Sequence, residues 1–297
     1  MSGLEFTGER FIPGTRGEIW IEHWHRYHFA AHWAAGKRVL DVACGEGYGS
    51  ALLARSAAQV VGVDVSPEAI LHATRAYAGV ANLSFMRGDC TRLPLEDASV
   101  DLVASFETLE HIAQQAEFLD EIARVLAPEG LLLLSCPNKL EYSDRRGYAN
   151  EFHVKELYRE ELEALVAARF PAIAWCGQKP TFFSVIAPER ARGAGALAEV
   201  EEAHPSEAMD RLSEPLYFLL VASRSARALE AAPPPLHVMS DRGDWVHRDY
   251  EKVMKWMQAA VEQRDALQRQ LDEREPKPPR GWRAWLRRPL ASLGLLK

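Results

Sequence analysis

The chain has 297 residues, 47% of them hydrophobic and 26% charged, enough for one α/β-sized domain plus an appendage at ~100 to 200 residues per domain. That balance excludes a wholly disordered chain, a collagen and a disulfide-stapled scaffold. The net charge of −7 argues against a general nucleic-acid binder and hides a split: residues 276–297 carry six basic residues and no acid, while the other 275 carry 29 basic against 42 acidic. The opening MSGLEFTGERF lacks the basic-then-apolar pattern of a secretory signal. No apolar run nears the ~18 to 20 residues of a membrane span. Cys44, Cys90, Cys136 and Cys176 stand far apart with no CxxC pair, so neither a zinc knuckle nor a disulfide framework is expected. The expected compartment is the cytoplasm.

In chain order, residues 1–36 read as a helical lid. EHWHRYHFAAHW places Trp24, Phe29 and Trp33 on an amphipathic helix and holds four of the ten histidines, His28 and His32 at i,i+4 spacing. With no HExxH and no added Cys/Asp cluster, no metal is expected. RVLDVA, from Arg38, is a β-branched apolar run closed by glycines, hence a buried strand. YGSALLARSA has helical spacing, and QVVGVDVS is a second buried strand. Ser66 then caps a helix with Pro67 at its first position. LSFM, DLVASF and LLLLSCP read as further strands. Between the last two, LEHIAQQAEFLDEIARVL carries a helical stripe at Ile112, Leu119, Ile122 and Leu126. Strands alternating with helices predict a parallel sheet covered on both faces.

Beyond Asn138 a loop leads to a helix expected over about 154–168. PAIAWC and PLYFLLVASR read as two last strands, separated by an irregular acidic stretch near 188–214. The main α/β domain is thus expected over 37–225, followed by a proline-rich linker over 226–244. In 245–275, Val246, Tyr250, Val253, Met257, Ala260, Arg264, Leu267 and Leu271 alternate spacings of four and three, an a/d heptad pattern. It fits either a lone helix folded against the body or a short dimeric or trimeric coiled coil. Residues 276–297 interleave Trp282, Trp285, Leu286, Leu290 and Leu293 with arginines. This composition suits an anionic membrane surface, or docking on the acidic body or a protein partner.

The chemistry centres on Asp41-Val-Ala-Cys-Gly45-Glu-Gly47-Tyr-Gly49, directly after a strand and opening a helix. Glycines there allow a tight turn and close approach to a ligand, although a plain strand-to-helix turn has the same look. Asp64 ends the next strand, where an acid can accept from ribose hydroxyls, and Asp89-Cys90 follows the third, placed to bracket an adenine edge. A P-loop lysine is absent, and Asp41 would repel a pyrophosphate. A cationic amino-acid head fits better, which points to S-adenosylmethionine.

On these residues the sequence resembles the class I S-adenosylmethionine-dependent methyltransferases, especially their ubiquinone-type branch. VLDVACGEGYGS is similar to their first motif, VVGVDVS to their ribose-binding acid, and GDCTRLPLEDASVDLVASFETLEHI to the adenine-binding strand end and the strand after it. The resemblance covers about residues 37–136. It implies a Rossmann-like, seven-stranded, mostly parallel sheet with a reversed last strand, which PLYFLLVASR would supply. It also implies that Asp41, Gly45 and Gly47 hold the methionine portion, Asp64 and Val65 the ribose side, Asp89 and Cys90 the adenine, with Phe106 or Glu107 below the sulfur.

TGERFIPG with EHxHRYxFA, and NEFHVKEL with Glu151 where proline is usual, resemble methyltransferases of bacterial surface-polysaccharide (O-antigen) clusters. In that comparison Arg26 and Tyr27 face the cofactor. The implied activity is O-methylation of a sugar hydroxyl on a surface glycan or its lipid-linked precursor, with glycosyltransferase partners. A quinone or natural-product methyltransferase and a non-catalytic scaffold are the alternatives. A sugar hydroxyl needs a base. His111 suits that role, His153 is a second candidate that is equally a structural residue, and Glu110 stands either beside them or as a buried cap.

Overall fold

The computed structural model describes residues 18–181, 212, 214–230, 237–239 and 245–274, with 200–201 and 204–205 between them. The TGERFIPG segment, most of the linker and the basic tail lie outside the described residues.

Helix α1 (Glu18–Ala34) leads into β1 (Arg38–Val42), α2 (Tyr48–Leu53), β2 (Gln59–Asp64), α3 (Pro67–Ala76) and β3 (Leu83–Arg87). The chain then returns to the sheet centre with β4 (Val100–Phe106), α4 (Gln115–Val125) and β5 (Leu126–Pro137). It finishes with α5 (Arg159–Ala167), β6 (Ala172–Gln178) and β7 (Tyr217–Ser223). The strands form one seven-stranded sheet in the order β3-β2-β1-β4-β5-β7-β6. β7 runs antiparallel to both β5 and β6, and the other pairs are parallel. The sheet, its reversed last strand and its helices are those expected from the strand–helix alternation and the resemblance.

The elements follow from residue pattern. Leu132, Leu133 and Leu134 of β5 are wholly buried, because a parallel strand covered on both faces reads as a continuous apolar run. Successive side chains point to opposite faces. Leu40, Val103 and Leu132 therefore meet Phe118 and Ile122 of α4 and Val166 of α5, while Val39, Leu102 and Leu133 meet Phe29 and Trp33 of α1 and Leu53 of α2. At the start of α3 the Ala69 N–H donates to Ser66 Oγ at 3.2 Å, with Pro67 at the first position.

Two helices differ from their expected spans. The stripe from Leu109 does not form one helix: Leu109–His111 makes a single 3₁₀ turn and α4 begins at Gln115. The reason is that the Glu110 carbonyl accepts from the Val154 and Lys155 N–H groups at 2.8 and 3.0 Å, which turns it away from the helical ladder. The same bonds hold 154–155 out of a helix. The helix expected from 154 therefore starts only at Arg159, where the Glu161 carboxylate accepts from the Tyr158 N–H at 2.9 Å.

The chain divides after Gly243 into two units. In the second, α6 (Trp245–Arg274) is one continuous 30-residue helix, on which Tyr250, Val253, Met257, Leu267 and Leu271 are exposed. No helix of the described residues is long and apolar enough to cross a membrane.

Candidate active site

The order of strands reverses between β1 and β4, and open α/β sheets bind ligands at the carboxyl ends of strands beside such a switch point. Asp41 and the glycine loop leave β1 there, Asp64 ends β2, and Phe106 and Glu107 end β4. The loop turns through left-handed backbone at Ala43, Gly45 and Gly47 (φ 57°, 53° and 80°). The Gly45 N–H donates to Asp64 Oδ2 at 2.9 Å and the Ser66 N–H to Oδ1 at 2.9 Å, so Asp64 ties the first two strand ends together. Val65 beside it is 65% exposed, an apolar surface left open next to an acid. Asp89 is exposed, and the Thr91 N–H and hydroxyl both donate to its Oδ1 at 2.8 Å. Those bonds hold its carboxyl below the usual carboxylate range. Burial pushes the neighbouring Cys90 thiol up to about 11, so it stays a neutral, half-buried contact surface.

Asp41 is fully buried and accepts from Ser50 Oγ at 2.5 Å and from the Tyr27 hydroxyl at 3.0 Å. Desolvation pushes its carboxyl up to about 7. Two donors do not exhaust a carboxylate, which has about four lone-pair sites. Tyr27 comes from α1 and lies over the loop, and a Cβ on Gly49 would sit 2.1 Å from its ring. Edge contacts to Tyr48 and Phe106, with centroids 5.3 and 5.1 Å apart, fix that ring.

The other α1 residue of the pair, Arg26, is 1% exposed. Its Nε donates to Gln178 Oε1 at 2.8 Å, its guanidinium stacks 4.4 Å over the Tyr217 ring, and Nη2 stands 3.6 Å from Glu107. Neither Nη1 nor Nη2 makes a hydrogen bond. Burial alone pulls its pKa down, but Glu107, Tyr217 and Glu22 outweigh that and raise it; the charge is kept. Leaving such donors buried and unpaired costs about 1–3 kcal/mol or more. They are therefore the donors best placed to hold an anionic group of a ligand.

Glu107 adopts left-handed backbone (φ 51°) at the end of β4, a conformation that costs a non-glycine residue about 1–3 kcal/mol and clusters at functional sites. The Ser135 hydroxyl donates to its carboxylate at 2.7 Å. Glu22, which sequence reasoning passed over, is buried beside Arg26 and accepts from the Tyr217 hydroxyl at 3.1 Å. Desolvation lifts its carboxyl to about 7, against the pull of Arg26. Gln178 and Tyr217 were likewise passed over, because Arg26 meets them across 152 and 191 positions of chain. The one local hint was the i,i+4 pair of Glu22 and Arg26 among the buried residues of α1.

The base candidates also converge. His111 Nδ1–H donates to the Phe152 carbonyl at 3.0 Å, which fixes the proton on Nδ1. Its ring stands edge-on to His153, centroids 5.0 Å apart. His153 bonds Glu156 through Nδ1 at 2.5 Å and Asn150 through Nε2 at 2.9 Å, so both its nitrogens are engaged. Glu110 is 1% exposed, and burial with Glu107 nearby drives its carboxyl well above the ordinary range.

The residues present fit S-adenosylmethionine. Arg26 would pair with its carboxylate, Asp41 and the glycine loop would hold its ammonium end, Asp64 its ribose, and Val65 with Asp89 and Cys90 its base.

Residues 40–134 match the family described as a methyltransferase domain. A probable S-adenosylmethionine-dependent methyltransferase of Mycolicibacterium smegmatis is 41% identical over 171 residues, 56% of this chain and 64% of that protein. A demethylmenaquinone methyltransferase of Clavibacter sepedonicus is 39% identical over 100 residues, 34% of this chain and 41% of that protein. Among solved structures, a Pyrococcus horikoshii protein shares the fold at a TM-score of 0.50 and 20% identity, over 75% of this chain and 100% of that one. The chain spans under two thirds of the length of the curated relatives it matches. Residues 40–134 thus match a methyltransferase domain model and lie on the fold of that solved structure, and S-adenosylmethionine is the cofactor that the matched family and the named Mycolicibacterium relative imply for the site.

Proposed function

We propose that the chain is an S-adenosylmethionine-dependent methyltransferase acting on a small organic acceptor of quinone or natural-product type. The observation that carries the reading is Arg26, a buried cation beside Glu107 whose Nη1 and Nη2 make no hydrogen bond. When bound, S-adenosylmethionine supplies a methyl group activated by its sulfonium. The protein's own part is positioning, which provides much of the acceleration in such a displacement. Arg26 and the glycine loop fix the donor end, Tyr27 and Phe106 close the apolar wall, and α1 covers the loop. A roofed site of this kind suits a small acceptor, and the likeness to a demethylmenaquinone methyltransferase supports the same choice.

The cluster of Glu110, His111 and His153 favours an acceptor that attacks through a hydroxyl, whose proton must be dealt with as the bond forms. A sugar hydroxyl of a surface glycan or lipid-linked precursor is the second reading that this cluster favours; the named relatives give it no support. Association of 276–297 with a membrane, and glycosyltransferase partners, belong to that second reading.

The test is incubation of the full chain with methyl-labelled cofactor against three acceptor sets: demethylated quinones, hydroxylated aromatic natural products and lipid-linked saccharides. Label on a quinone or natural product is expected. Label on saccharides alone overturns the small-acceptor choice, and failure of the chain to bind the cofactor at all overturns the activity.

A further inference from the structure

We propose that Glu110, His111 and His153 form a binding site for a divalent first-row metal ion of the zinc class. An oxygen of Glu110 and a ring nitrogen from each histidine lie within 4.8 Å of one another. Glu110 is 1% exposed and neither of its oxygens has a hydrogen-bond partner, although one of them lies 3.8 Å from His111 Nε2. A buried carboxylate without donors costs several kcal/mol in effective desolvation unless a cation or proton compensates it. A carboxylate oxygen and a neutral imidazole nitrogen are both ligands that zinc-class ions take.

The surroundings of the two rings supply what metal-bound histidines need. His111 Nδ1 faces the Phe152 carbonyl oxygen and His153 Nδ1 faces the Glu156 carboxylate, at 3.0 and 2.5 Å. Such acceptors hold the proton on Nδ1 and direct the Nε2 lone pair toward an ion. Ser143 Oγ donates to the other oxygen of Glu156 at 2.6 Å, which fixes that carboxylate in turn. The Asn150 amide now donates to His153 Nε2 at 2.9 Å, and a metal would displace this neutral donor. Ligand atoms this close together can draw in to the ~2.0 to 2.2 Å bond lengths of a zinc-type site.

Two imidazoles and one carboxylate leave coordination positions for oxygen ligands, the pattern of catalytic rather than closed structural sites. That any such ligand is the acceptor's oxygen rests on the methyltransferase reading. The metal site itself does not. Spacing along the sequence hid it, because His153 lies 42 positions beyond His111 and joins it through the Glu110 carbonyl's bonds to 154 and 155 and the His111–Phe152 hydrogen bond.

The experiment is titration of the full chain with cobalt(II) chloride, read by visible d–d absorption and by bound metal after gel filtration. One equivalent is expected, with bands of a four- or five-coordinate ion that zinc chloride bleaches. Glu110→Gln and His111→Ala are expected to weaken binding at least tenfold, and Glu156→Gln about 10- to 100-fold, as for partners that orient a ligand. His28→Ala/His32→Ala, which removes the exposed i,i+4 histidine pair of α1, is expected to change nothing. X-ray absorption on the cobalt-loaded wild-type chain needs no variant and is expected to report two imidazoles with oxygen ligands. Binding below half an equivalent, fewer than two imidazoles, or bands that persist in folded Glu110→Gln and His111→Ala overturns the site. Because the readout is the metal, a failure of methyl transfer on every acceptor is a separate result.

Discussion

At the scale of single residues, the site is organised by groups that are buried before any ligand arrives. Arg26 is held by Gln178 through Nε and by the face of Tyr217, and presents its other two nitrogens. Hydrogen bonds to charged groups contribute about 1.5–3 kcal/mol, so Arg26→Ala is expected to weaken S-adenosylmethionine binding about 10- to 100-fold by calorimetry. Arg26→Lys is expected to recover little, since lysine lacks the planar fork. Unchanged affinity in both would remove Arg26 from the cofactor's carboxylate. Asp41 and Glu22 make a second expectation. Burial lifts both carboxyls from ordinary values of 3.8 and 4.5 to about 7, so each is harder to ionise in the folded chain. Their contribution to stability is full below the unfolded values and is lost as pH rises through about 7. The cofactor-free chain is expected to melt at a higher temperature at pH 5 than at pH 8. Asp41→Asn is expected to reduce that difference, and an identical pH profile in the variant would show that Asp41 does not titrate in this window.

At the scale of elements, the contact between α1 and α2 governs access to the loop. Gly49 lies in α2, where alanine would ordinarily favour a helix by about 1 kcal/mol. Here its Cβ would meet the Tyr27 ring at 2.1 Å, and overpacking of that kind costs about 1–3 kcal/mol. Gly49→Ala is therefore expected to destabilise the chain in urea unfolding; stabilisation would mean that α1 does not rest on α2 in solution. This scale also shows what could be read in advance. The strands β1, β2, β4 and β5 were legible because burial on both faces leaves an uninterrupted apolar run, and the start of α3 was legible from Ser66 and Pro67. The extent of α4 and α5 was not, because it depends on where the carbonyl of Glu110 finds its donors, and these lie 44 and 45 positions away. The convergence of Arg26, Gln178 and Tyr217 was hidden for the same reason: their distances follow from sheet order, not from spacing.

At the scale of the whole molecule, α6 and the sheet pose separate questions. The exposed Tyr250, Val253, Met257, Leu267 and Leu271 follow the heptad spacing, and such a seam is self-complementary in a parallel or antiparallel pair. We propose self-association through α6. In sedimentation velocity the full chain is expected to exceed the monomer mass, a chain ending at residue 244 to match it, and Met257→Asp/Leu267→Asp to shift the full chain toward monomer; a full chain that stays monomeric overturns the proposal. The sheet has a different consequence, which concerns synthesis. β7 lies between β5 and β6, yet it is the last of the seven strands to be made. While the ribosome builds residues 138–216, the finished edge of β5 has no neighbour and β6 has nothing to pair with, and unpaired strand edges invite association with other chains. Only when Tyr217–Ser223 leaves the exit tunnel can both edges close at once, so the nascent chain is most exposed to chaperones, and most vulnerable to premature termination, from the completion of β5 until that point.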